Sequence, residues 1–252
     1  MATPNLHSGS WSRGVLAGVL AGVGVGAGAA AWAAPAVAPH LPLVARALGI
    51  ARRVTPAGAV GLTFDDGPHP VATPAVLEIL AGHGATATFF VVGEQVRRTG
   101  GLLEEMVAAG HQVAVHGDRH RCLLRLGART VAEDLDRAHA TIGEVVNGLH
   151  RAPYGVYSSR ALGEVRARGW RPLLWSRWGR DWHAGRDPAR IARQVTRRVG
   201  AGDVLLLHDA DEYSDPGSWR STVAALPRVL ERLGERGLRA RAVGPAQLAS
   251  GW

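Results

Sequence analysis

The sequence predicts an α/β protein, a parallel barrel of about seven strand–helix units. Three observations carry this. Short runs rich in Val, Leu, Phe and Thr alternate with longer amphipathic stretches. Polar residues able to do chemistry recur where such a run stops, as they do at the carboxyl ends of barrel strands. The chain, 252 residues with no internal repeat, holds one barrel-sized domain plus a short extension.

The first predicted strand is Ala59-Val60-Gly61-Leu62-Thr63-Phe64, broken at once by Gly67-Pro68. A helix over Thr73 to His83 follows, with Pro74 near its start. Residues Ala85 to Val92, β-branched and aromatic, form the second strand. Gly101 to Gly110 is a helix that Gly110 stops. Val113-Ala114-Val115 is the third strand, and Arg129 to Val146 a longer amphipathic helix running toward Leu149-His150. Ser158 to Arg168 is helical and leads to a strand at Pro172 to Trp175. Asp187-Pro188 opens a helix reaching Val199, with Asp as N-cap and Pro in the first turn. Val204 to Leu207 is a strand, and Ser218 to Arg236 a helix before one more short strand.

The strand ends carry the chemistry. Asp65 and Asp66 close the first strand, and two adjacent carboxylates there need a metal ion, an arginine or a shared proton. His116 and His120 follow the third strand. Four residues apart, they lie on one face of a helical turn, so both imidazoles can reach one ion. With one carboxylate they make three protein ligands and leave a position for water, the pattern of a catalytic site. Arg151-Ala152-Pro153-Tyr154, Asp181-Trp182 and His208-Asp209 end later strands. Each group has a plainer reading: Asp-Gly-Pro as a turn, Arg151 as a surface charge, His208 and Trp182 as core residues. The ordered set of five strand ends favours chemistry.

These motifs resemble the polysaccharide deacetylases, the carbohydrate esterases with a NodB homology domain, over roughly residues 58 to 244. T-F-D-D-G-P stands at 63–68, H-G-D-R-H at 116–120, R-A-P-Y at 151–154, Asp181-Trp182 and Leu206-Leu207-His208. Gly117 departs from the Ser or Thr usual between the histidines. The resemblance implies a distorted (β/α)7 barrel. It implies a divalent metal ion, zinc foremost with cobalt or nickel suiting the same donors, held by Asp66, His116 and His120. It implies Asp65 as general base held by Arg151, and His208 as general acid paired with Asp181. The Tyr154 backbone N–H would bind the oxyanion, and Trp182 and Leu206 would line an acetyl pocket. The expected reaction removes N-acetyl or O-acetyl groups from an envelope or extracellular glycan by metal-activated water. A cyclic amidase on the same barrel and a glycan-binding protein without catalysis are the alternatives.

Residues 14 to 38 are uncharged and rich in Ala, Gly, Val and Leu, after Arg13. They read as an export signal, with Ala31-Trp32-Ala33 as candidate cleavage site, or as a membrane anchor of about 20 residues. Residues 39 to 57 read as a linker with a short basic helix around Leu43 to Arg53, and 58 to 252 as the catalytic domain. The barrel is therefore expected outside the cytoplasm, secreted or membrane-associated through its N-terminus. Net charge is +8, yet all 29 basic residues are arginine and none is lysine. Scattered charge without a nucleic-acid motif argues against a nucleic-acid partner. Cys122 is the one cysteine, so no intrachain disulfide forms. No feature of the sequence specifies an oligomeric state.

Overall fold

The computed structural model describes residues 32–55 and 57–248. Most of the apolar N-terminal segment, including Ala31 of the candidate cleavage site, lies outside the described residues. Among the described residues no helix is long and apolar enough to cross a membrane.

The strands are β1 (Ala59–Asp65), β2 (Thr88–Val91), β3 (Gln112–Val115), β4 (Val146–His150), β5 (Arg171–Pro172), β6 (Arg177–Trp178), β7 (Val204–His208) and β8 (Arg239–Arg241). All pair in parallel in one curled sheet of order β5-β4-β3-β2-β1-β7-β6, with β8 on β1. β5 pairs with β4 while β6, five residues further on, pairs with β7. One broken strand over residues 171–178 therefore joins the two edges. Counted so, the sheet is the distorted seven-stranded barrel expected. β1 is buried along almost its whole length, as a strand covered on both faces must be. Gly61 on β1 permits close packing, since a Cβ there would meet Val243 Cγ2 at 2.5 Å.

The helices are α1 (Pro42–Ala47), α2 (Ala72–Gly82), α3 (Gly93–Thr99), α4 (Leu102–Ala108), α5 (Ala128–Ile142), α6 (Ser159–Ala167), α7 (Pro188–Val195) and α8 (Ser218–Gly234). Most follow the sequence pattern with ends shifted by a few residues. Ser158 Oγ caps α6 by accepting from Ala161 N, and Asp187 caps α7 by accepting from Ala189 and Arg190 N. Two local elements depart from the sequence pattern. α3, a polar helix of seven residues, carries no apolar stripe and was unforeseen. The stretch from His116 to His120 is a loop, not a helical turn. Gly117 at φ 98° diverts the chain there into a conformation a helix does not use.

Residues 39–55, expected as a linker, lie packed on the barrel. Ala45, Ile50 and Val54 join the core, Ala51 bridges to Leu173, and Val54 to Leu248. Arg53 Nη1 bonds the buried Asp203 carboxylate at 2.5 Å.

Candidate active site

The carboxyl ends of β1, β3, β4 and β7 face one cavity of about 540 Å³. β1 delivers Asp65 as its last residue, and the register sets Asp65 beside His208, the last residue of β7. Asp66 follows at φ 81°, a left-handed conformation disfavoured for a residue with a Cβ. That turn sends neighbouring carboxylates to different partners. Gly67 allows it, because a Cβ there would fall 2.4 Å from Asp209 Oδ2.

Asp66 Oδ1 stands 3.3 Å from His116 Nε2 and 3.2 Å from His120 Nε2. Burial would raise its pKa, but the two imidazoles hold it well below the usual carboxylate range. His116 Nδ1 sits 2.8 Å from the Arg151 carbonyl oxygen, which can only accept, so Nδ1 carries a proton. In neutral His116 that leaves a lone pair on Nε2 facing a carboxylate oxygen. Two acceptors in buried contact call for a cation between them. Asp66 Oδ1 is itself buried without a hydrogen-bond partner. The His-His-Asp donor set therefore fits a divalent metal ion. His120 lies between Tyr213, stacked on its ring at 4.3 Å, and Tyr154, edge-on at 4.5 Å.

Asp65 Oδ1 accepts from Arg151 Nη1 at 2.5 Å, and Oδ2 turns toward His116 Nε2 at 3.9 Å. Arg151 is wholly buried. Its guanidinium also donates to Thr63 Oγ1 and the carbonyls of Leu173 and Leu174, and lies 3.9 Å from the Phe90 ring centroid. Burial lowers the Arg151 pKa, against the pull of Asp65. The surroundings fix this side chain completely, so it sets the direction of the Asp65 carboxylate.

His208 Nδ1 lies 3.0 Å from Asp181 Oδ1, whose other oxygen accepts from His208 N and Thr222 Oγ1. Burial would push the imidazole down. The Asp181 carboxylate, with Asp66 and Asp65 beyond, raises it to about 10. His208 is thus held protonated at neutral pH, with Nδ1 engaged and Nε2 left for the cavity. Trp182 and Leu206 line the cavity beside it, and Tyr154, at φ 60°, forms its rim.

All ten residues singled out from the sequence therefore gather here, eight on the cavity wall and Arg151 and Asp181 buried behind it. The sequence missed Thr63 and Thr222, which fix Arg151 and Asp181, and Tyr213, which is held by Glu94 and Gln95. A lone hydroxyl or tyrosine has no spacing pattern to betray it. A second acid–histidine cluster, His69 with Asp211 and Glu212, does not suit a metal. His69 Nδ1 accepts from Val71 and Ala72 N, so its proton sits on the Nε2 that faces Asp211.

Residues 52–173 match the family profile of polysaccharide deacetylases. A chitooligosaccharide deacetylase of Sinorhizobium fredii is 39% identical over 203 residues, 77% of this chain and 94% of the relative. The chain belongs to the polysaccharide deacetylase family. A peptidoglycan-N-acetylglucosamine deacetylase of Bacillus cereus, also of this kind by name, is 32% identical over 71% of this chain and 84% of its own. The family's fold matches too. A family 4 carbohydrate esterase of Streptomyces lividans, solved with acetate, superposes with a TM-score of 0.68 at 29% identity, over 78% of this chain and 99% of that one.

Proposed function

We propose that this protein removes N-acetyl groups from an acetylated glycan, with Asp65 as proton acceptor and His208 as proton donor. One observation carries the reading: a carboxylate locked to buried Arg151 and an imidazole locked to buried Asp181 are register partners at the mouth of one cavity. The relatives named above act, by their names, on chitooligosaccharide and on peptidoglycan N-acetylglucosamine. That supports a glycan acetamide as the scissile group.

Asp66, His116 and His120 would hold the metal ion, zinc foremost among zinc, cobalt and nickel. Such an ion, when bound, polarises a carbonyl and makes water nucleophilic near neutral pH. The remaining work falls to side chains. Asp65 keeps Oδ2 free to take the proton of the attacking water, because Arg151 occupies Oδ1. His208, charged at neutral pH, gives its Nε2 proton to the departing amine. The Tyr154 N–H would meet the oxyanion, and Leu206 and Trp182 would enclose the acetyl methyl group. The uncharged run from 14 to 38 supports export, so the glycan would be met outside the cytoplasm.

The test is acetate release from N-acetylated chito-oligosaccharides, with a chelator and after zinc is restored. Release that stops on chelation and returns with zinc is expected. Release from no acetylated glycan, or from small cyclic amides alone, would overturn the reading.

A further inference from the structure

The cavity is much larger than an acetamide, and its charge is uneven. Its lining has two carboxylates, Asp65 and Asp66, both within the proposed machinery. It has four arginines, Arg121, Arg125, Arg180 and Arg186. Arg121 is committed to Asp134 at 2.6 Å. Arg180 and Arg186, on the side of Trp178 and Trp182, make no ion pair with a carboxylate among the described residues. The Arg180 guanidinium lies 4.9 Å from the Trp178 ring centroid. Arg186 gives Nη2 to the neutral Gln194 Oε1 at 2.6 Å and leaves Nε buried without a partner.

Arginine bias alone does not explain this wall. Several arginines elsewhere are engaged by acids, as in Arg53–Asp203, Arg97–Asp118 and Arg168–Asp136, or by backbone carbonyls, as in Arg52 with Trp175 O and Arg171 with Pro245 O. Here the cost of crowding shows. Burial, then the cations Arg190 and Arg180, lower the Arg186 pKa. His40, edge-on to Trp178 on the same wall, is lowered by burial and then by Arg52 and Arg180. Two underused guanidinium forks on a concave wall, repelling one another, are relieved by an oxyanion between them.

We propose that Arg180 and Arg186 form a subsite for an oxyanionic substituent carried by the sugar next to the one deacetylated. The protein then selects acidic over neutral acetylated glycans. This inference rests on the deacetylase reading of the same cavity.

The test uses four probes, two anionic and two neutral. One is an oligosaccharide of N-acetylglucosamine alternating with a sugar bearing a carboxylate. The second is its methyl ester, the third a sulfated chitotetraose, and the fourth plain chitotetraose as its neutral counterpart. Calorimetric titration in the zinc-loaded Asp65→Asn variant, where substrate should not be consumed, gives each affinity. At least one anionic probe should bind about tenfold tighter than its neutral counterpart, and added salt should erase the difference. Whether the carboxylate or the sulfate wins identifies the source of the anion. In the added Arg180→Gln/Arg186→Gln background the ratio should fall to about one, and Lys at both positions should restore part of it. Circular dichroism checks that these variants fold, and Arg180→Gln alone, at an exposed position, supplies the test if the double change does not. Equal affinities for anionic and neutral probes, or a preference that survives loss of both arginines, would overturn the subsite. Acetate release from neutral chitotetraose by the unaltered protein judges the deacetylase reading separately.

Discussion

Asp65 and Asp66 are neighbours with different fates because the backbone turns between them. One side chain points to Arg151, the other to His116 and His120. Asp65→Asn should keep metal content near normal, since the donor set survives, while acetate release falls by about 10²–10⁴-fold. Metal loss on that change would show the two roles reversed. His120→Ala should instead lower metal occupancy on dialysis against a weak chelator, and full occupancy would remove His120 from the donor set. A third residue acts on stability. His150 is fully buried, its Nδ1 engaged with Tyr157 Oη at 2.9 Å and its Nε2 unpartnered. Burial, then His116 and Arg168, lower its pKa to about 3. Because the folded value lies below the unfolded value of about 6.5, the stabilisation is complete above pH ~6.5 and drains away as pH falls toward 3. Urea unfolding at pH 7.5 and 5.0 should show a loss of about 2 kcal/mol that His150→Gln reduces. An unchanged pH dependence in that variant would mean that other groups cause the loss. At this scale short motifs exposed carboxylates and histidines that line the cavity. The sequence hid Thr63, Thr222 and Tyr213 because their roles depend on which strand comes to lie beside which.

The site depends on where elements stop. β1 and β7 end level with each other, which brings Asp65 and His208 together across 143 positions of chain. The strand runs and helix caps that set these ends were legible, because apolar runs, Asp-Pro starts and glycine stops act locally. The loop from His116 to His120 was not, since the spacing of two histidines does not distinguish a helical turn from a glycine-bent loop. α7 offers the cleanest test of local coding. Asp187 caps it with two hydrogen bonds at an exposed position, so Asp187→Ala should cost about 1 kcal/mol and leave the metal content unchanged. Guanidinium unfolding would read it, and no change in midpoint would show that Pro188 and packing alone start the helix.

At the scale of the molecule, composition misled most in residues 39–57. Pro, Ala and Arg without a long apolar pattern read as a linker, yet a tie needs few residues if each finds a partner. Ala38, Ala45, Ile50 and Val54 are buried, Val54 N donates to Gly202 O, and Thr55 N donates to Gln247 O. Its first residues, Pro39 and His40, supply cavity wall together with Ala36 just before it. The barrel and this tie are thus packed against each other, and a chain begun at Gly58 should behave differently from one begun at Trp32. Loss of the buried apolar groups alone removes roughly 4–6 kcal/mol. The shorter chain should therefore melt on the order of 10–20 °C lower. Its acetate release should also fall, because the cavity loses a wall even where the metal donors remain. Calorimetric melting of both chains reads the first effect, and turnover on a common chito-oligosaccharide reads the second. Equal melting temperatures would return residues 39–57 to the status of a linker. Equal turnover would show that Ala36, Pro39 and His40 border the cavity without shaping what binds there.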